Sequence, residues 1–152
     1  TLWDVGAGTG SVSVELALAA PAGQVYAVEC DQEACALIQK NREKFSAYNL
    51  NLIEGKAPEA LAALPAPDAV FIGGTKGSMD AVINAVLHKN PAARLCIAAI
   101  ALETLSAAVA ALTTHGLSVE VTQIAVSRTK AAGSLHLLMA NNPVFLITGA
   151  RT

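Results

Sequence analysis

The polar and apolar positions of this chain alternate between two periods. Short apolar or alternating runs at Leu2 to Val5, Gln24 to Glu29, Leu50 to Glu54, Ala69 to Ile72 and Arg94 to Ile100 predict strands. Longer mixed stretches lie between them: Ser11 to Ala20, Asp31 to Ser46, Pro58 to Leu64, Ser78 to Lys89 and Leu102 to His115. These predict helices. The first helix is contested by its own pattern. Val12, Val14, Leu16 and Leu18 alternate as in a strand, yet a glycine loop before them and Pro21-Ala22-Gly23 after them favour a helix with a stop signal. Several strand runs are continuously apolar, which suits strands covered on both faces. Strand and helix in alternation predict an α/β sheet whose strands are mostly parallel.

After residue 116 the character changes. Leu117 to Ser127 carries β-branched residues at alternate positions, Val119 and Val121, then Ile124 and Val126 after a shift of phase. Leu135 to Met139 and Val144 to Thr148 continue the series with no helical stretch between them. Such a tail predicts antiparallel strands added to one edge of the sheet. No repeat, low-complexity tract or linker interrupts the chain, so residues 1–152 are expected to form one domain. The chain starts almost inside its first strand, and a preceding segment is expected to be missing from this numbering.

Composition narrows the class. With 53% hydrophobic and 14% charged residues, the chain has the profile of a folded core. Its mean hydropathy of +0.47 raises the question of a membrane. The longest apolar run, Leu95 to Leu102, stops at Glu103, far short of the ~20 residues that span a bilayer. A net charge of −2 and the lack of an extended basic cluster argue against a nucleic-acid partner. Cys30, Cys35 and Cys96 are odd in number and lack metal-ligand spacing, so reduced thiols with packing roles in a cytoplasmic protein are expected. His88, His115 and His136 are scattered, and no metal site is expected.

Chemistry enters at DVGAGTG, residues 4 to 10, where glycine recurs at every second position directly behind the first strand. Glycine there costs backbone entropy and packs nothing, so something must need that backbone closely. In a doubly wound sheet this turn leads into a helix N-terminus, and bare N–H groups can face a ligand. Glu29 ends the second predicted strand, where a carboxylate can accept hydrogen bonds from both ribose hydroxyls of a nucleoside. The spacing is G-x-G-x-G rather than the dinucleotide G-x-G-x-x-G.

The D-x-G-x-G-x-G pattern resembles motif I of class I S-adenosylmethionine (AdoMet)-dependent methyltransferases, and the antiparallel tail matches their seven-stranded, Rossmann-like sheet. The resemblance narrows further over nearly the whole chain. LWDVGAGTGSVSVELAL, EGKAPEAL, PDAVFIGGTKG, LETL, VTQIAVSRTK and NPVFLITG occur in this order. Together they resemble the decarboxylating precorrin C15-methyltransferases of cobalamin biosynthesis, which occur alone or as the C-terminal half of a fused C5,C15-methyltransferase. The resemblance implies AdoMet as methyl donor, a tetrapyrrole substrate and a homo-oligomer, a tetramer in particular. By position it implies that Gly6, Ala7, Gly8, Thr9 and Gly10 form the AdoMet loop, Glu29 holds the ribose and Ala57 meets the adenine through its backbone.

A polycarboxylate substrate needs cations or donors, and Lys76, Arg128 and Lys130 are the candidates. The sequence assigns no catalytic residue. The chain departs from the family pattern at Lys56, where an acidic residue often precedes the alanine. It departs again at Ala98-Ala99-Ile100-Ala101, where N-A-V-T is common before L-E-T. Two other readings stand beside this one: a nicotinamide-dependent oxidoreductase, and an AdoMet-binding domain without catalysis. The loop Gly73-Gly74-Thr75-Lys76-Gly77 lacks the N/D-P-P-Y/F motif of amino-group nucleic-acid methylation, and Asn141-Asn142-Pro143-Val144 reads as a turn.

Overall fold

A computed structural model describes residues 1–151. Strands and helices alternate as β1 (Leu2–Val5), α1 (Ser11–Ala19), β2 (Val25–Glu29), α2 (Gln32–Lys44), β3 (Leu50–Glu54), β4 (Ala69–Ile72), α3 (Met79–Lys89), β5 (Arg94–Ala99) and α4 (Leu102–Thr114). The tail adds β6 (Ser118–Ile124), β7 (Ser127–Ala132), β8 (Leu135–Ala140) and β9 (Val144–Ala150). Seven strands form one sheet in the order β3-β2-β1-β4-β5-β9-β6. β1 to β5 are parallel, and β9 is antiparallel to both β5 and β6. Hence β6 runs with the parallel set and β9 alone is reversed, inserted between two strands that precede it in the chain.

The alternation along each strand divides the core in two. Trp3, Val5, Val28, Ile72 and Ile97 face α3 and α4, where Ile83, Val86 and Leu112 complete a large cluster. Val25, Ala27 and Leu50 face α1 and α2 through Val14, Ala17 and Ile38. Each fully buried aliphatic side chain contributes about 1.5–3 kcal/mol, so the two layers hold the sheet between helices and present the carboxyl ends of β1 to β4 at one rim. The buried residues of α1 are Ser13, Val14 and Ala17, the spacing of a helix face, which resolves its ambiguous pattern.

Two expected elements differ. Pro58 to Leu64 is not a helix; only a 3-10 turn forms at Glu59–Leu61, which buries Leu61 and Leu64. Seven residues closed by Pro65 are too few to offset the cost of nucleating an α-helix. The stretch Leu117 to Ser127 is not one strand either. β6 ends at Ile124, and Ser127 opens β7, which pairs only with β8 in a second, two-stranded sheet. Gly133 and Ser134 form its two-residue turn, with Gly133 at a positive φ of 62° that such turns require.

Candidate cofactor cleft

The glycine loop is shaped by steric necessity on one side and openness on the other. Gly6, Gly8 and Gly10 have φ of 70°, 56° and 76°, in the left-handed region. A Cβ on Gly6 would lie 2.3 Å from the Gly74 carbonyl oxygen, so β1 and β4 could not deliver their loops this close together. A Cβ on Gly8 would meet nothing within 4 Å. The loop is therefore packed against the protein at Gly6 and bare at Gly8. Asn41 of α2 pins it from outside, its side-chain amide donating to the Thr9 carbonyl at 2.8 Å.

Opposite the loop stands Glu29, buried at the end of β2. Its Oε1 accepts from the N–H groups of Cys30 (2.8 Å) and Asp31 (2.9 Å), and its Oε2 accepts from Gly8 N–H at 2.8 Å. Burial alone would raise its pKa, but the Asp31, Gly8 and Cys30 donors outweigh it and hold the carboxyl below its ordinary value. The side chain is thus ionised and fixed. A carboxylate accepts about four hydrogen bonds, which leaves capacity for a hydroxyl of a ligand.

A cleft of about 210 Å³ opens between these parts. One wall is Val28, Glu29 and Cys30, another is Gly55, Lys56 and Ala57, and a third is Gly74, Thr75 and Lys76, with Gly6 at the base. Ser78 Oγ donates to the Thr75 carbonyl at 2.7 Å and lies 3.3 Å from the Ala57 carbonyl, which brings the loop after β3 against the start of α3. The cleft thus lies over the carboxyl ends of β1 to β4, where the strand order reverses, the usual crevice of an open α/β sheet.

A family model described as "Precorrin methyltransferase domain" matches residues 1–151. The chain belongs to this precorrin methyltransferase family. A relative from Pyrobaculum calidifontis, named probable cobalt-precorrin-6B C(15)-methyltransferase (decarboxylating), is 46% identical over 97% of the chain and 76% of its own length. A Salmonella typhimurium cobalt-precorrin-6B C(15)-methyltransferase (decarboxylating) is 40% identical over 96% and 76% respectively. Among solved structures, a precorrin-6Y C5,15-methyltransferase from Geobacter metallireducens superposes with a TM-score of 0.93 at 39% identity, covering 99% of this chain and 78% of that one.

In this precorrin methyltransferase domain, Gly6, Glu29, Ala57 and Lys76 come together at the cleft, while Ala7, Gly8, Thr9 and Gly10 build the turn beside it. Arg128 and Lys130 do not line it; both are exposed on β7. Lys56, one of the departures from the family pattern, is exposed in the cleft wall. At the other departure, Ile100 is 70% exposed beyond the end of β5, followed by Leu102 at 72%.

Two residues that the sequence named without a role at the site have local chemistry there. Asp4 is buried under the glycine loop and accepts a hydrogen bond from the Ser13 hydroxyl. Burial pushes its carboxyl up to about 6, against the pull of the Ser13 hydrogen bonds and with the Glu29 charge acting in the same direction as burial. Cys30 is the other. The expectation of a packing role holds for buried Cys35, but Cys30 is exposed and lines the cleft, because it follows Glu29 out of the sheet. Among the described residues no helix is long and apolar enough to cross a membrane.

Proposed function

We propose that this domain transfers the methyl group of S-adenosyl-L-methionine to C15 of a precorrin, with loss of an acetate carboxyl as carbon dioxide, in cobalamin biosynthesis. The observation that carries the reading is the contact between the Gly8 backbone, open where a Cβ would stand, and a buried, ionised Glu29 that lines the cleft, in a chain 46% identical to a relative named for that reaction. Backbone at Gly8 can approach a nucleoside closely, and Glu29 can accept from its ribose. Ala57 offers backbone to the base.

When bound, AdoMet supplies an electrophilic methyl group on a sulfonium. The residues of the cleft position and orient; no protein nucleophile is required, because the meso carbon of a reduced tetrapyrrole is itself electron-rich. Alignment is then the main catalytic contribution. The electron pair released as carbon dioxide departs neutralises the charge that the methyl group brings to the macrocycle. Lys76 at the cleft mouth, with Arg128 and Lys130 on the hairpin, would hold substrate carboxylates.

The assembly proposed is a homo-oligomer, a tetramer in particular, built through β7 and β8. Leu135, Leu137, Leu138 and Met139 are 64%, 47%, 76% and 50% exposed, and a lone two-stranded sheet is only marginally stable in water. A cytoplasmic setting accords with three free thiols.

Transfer of labelled methyl from AdoMet to a precorrin-6B-type acceptor, counted in the extracted tetrapyrrole, tests the reading. Label is expected in the acceptor with the native chain. Glu29→Ala is expected to keep the fold and weaken S-adenosylhomocysteine about tenfold or more, as loss of charge-assisted hydrogen bonds does. Unchanged affinity in that variant would refute the cofactor pose. Tighter binding of NAD than of S-adenosylhomocysteine would favour an oxidoreductase instead.

A further inference from the structure

The cleft contains one contact that methyl transfer does not use. Lys76 Nζ donates to Cys30 Sγ at 3.3 Å, joining residues 46 positions apart across the opening between two cleft walls. The three cysteines of the chain supply an internal comparison. Cys35 is buried and its thiol is pushed up by burial, with the Glu54, Glu29 and Asp31 carboxylates adding to it. Cys96 is half-buried in β5 and pushed up by burial. Of the three, Cys30 alone is exposed, and among the described residues it alone has an ammonium against its sulfur.

We propose that Cys30 is a thiol-modification site for small anionic disulfides, made reactive by Lys76, and that its modification closes the nucleoside cleft. Its effect on AdoMet rests on the function proposed above; the reactivity does not. The attacking species in disulfide exchange is the thiolate. Glu29 and Asp31 face this region with negative charge; Lys56 lines the wall after β3, and Lys76 is the cation in contact with the sulfur. The Cys30 sulfur beside it, with these carboxylates, holds Lys76 above the ordinary lysine value, so the ammonium stays charged. An ammonium at this distance offsets charge on the sulfur and attracts an anionic reagent.

The step balances without a further oxidant. Cys30 loses its proton to solvent, its sulfur attacks one sulfur of the reagent, and the reagent's S–S bond breaks. A new S–S bond forms on Cys30, and the departing thiolate carries away the electron pair. The adduct then projects into a cleft of about 210 Å³ that Cys30 and Lys76 help to line. A nucleoside and the adduct exclude each other. A dithiol reverses the exchange and reopens the cleft.

The probe is 5,5′-dithiobis(2-nitrobenzoate), a dianionic aromatic disulfide whose thiolate product absorbs visibly, mixed in excess with the intact protein. The expected result is one rapid equivalent of thiolate, with the adduct mapped to Cys30 by peptide mass. Lys76→Gln is expected to slow that phase about tenfold, the scale on which a neighbouring cation alters thiolate chemistry, and Lys76→Arg to restore most of it. Saturating S-adenosylhomocysteine is expected to protect Cys30, and the adduct to abolish its binding until dithiothreitol is added. A rapid phase mapped to Cys35 or Cys96, or an unchanged rate in Lys76→Gln, overturns the reactive pair. Unchanged S-adenosylhomocysteine binding by the adduct overturns the closure. Failure of the unmodified protein to bind S-adenosylhomocysteine overturns the cofactor reading instead, while the Lys76-dependent rate still decides the pair.

Discussion

Two glycines of one loop serve different ends. Gly6 is small because Gly74 backbone lies against it; Gly8 has open space where a Cβ would stand. Gly6→Ala should therefore destabilise the fold by about 2 kcal/mol or more, from backbone collision added to a positive φ. Gly8→Ala should cost only about 1 kcal/mol, the conformational term alone, yet lose S-adenosylhomocysteine affinity. Chemical denaturation and calorimetric titration of both variants check this contrast; equal stability losses would contradict it. Asp4 gives a second test at this scale. Its proton leaves at about 6 in the folded protein and near 3.8 in the unfolded chain, so between those values the folded state binds more protons. Stability therefore falls as pH rises through that window, by about 3 kcal/mol in total. Asp4→Asn should abolish this contribution and be more stable than the native chain at pH 7 but not at pH 4. Glu29 acts in the opposite sense, its contribution being lost as pH falls, but both proteins share it and it cancels in the difference. A stability difference independent of pH would contradict the assignment. The glycine loop and Glu29 were legible because one local turn and one strand end dictate them. The Asp4 environment and the Cys30 contact were not, since their partners Ser13 and Lys76 are set by packing rather than by spacing.

At the scale of elements, the five parallel strands were legible from their buried, continuously apolar runs, and four helices from their punctuation. The exception between Pro58 and Leu64 shows where composition misleads: alanine and leucine favour a helix, but the segment is too short to propagate one. The strand β7 was illegible for a different reason. Its sequence, Ser127-Arg128-Thr129-Lys130-Ala131-Ala132, has no apolar alternation, because neither face is buried within the chain. The signal that could have found it was Gly133-Ser134, a two-residue turn before the apolar run of β8. The reversal of β9 between β5 and β6 followed from no local feature of sequence. It depends on long-range pairing, such as Ile97 with Ile147 and Val121 with Ile147.

For the whole molecule, the hairpin is the part whose large apolar side chains the domain leaves exposed. Cross-strand pairs share a face, so Leu135, Leu137 and Met139 lie with Arg128 and Lys130 on one side of it. Replacing Leu137 and Met139 together by lysine would add charge beside those cations in any contact between copies. Sedimentation of the double variant should show a lighter species than the native chain, with the seven-stranded domain still folded; an unchanged mass would place the assembly elsewhere. Under the proposed function, the cleft would position the methyl donor and the hairpin would meet neighbouring copies. Their common purpose is tested most directly by the mass of the product formed from a precorrin-6B-type substrate and AdoMet. The account predicts the gain of one methyl group together with the loss of one carbon dioxide. A substrate of unchanged mass, recovered from protein with AdoMet demonstrably bound, would contradict it.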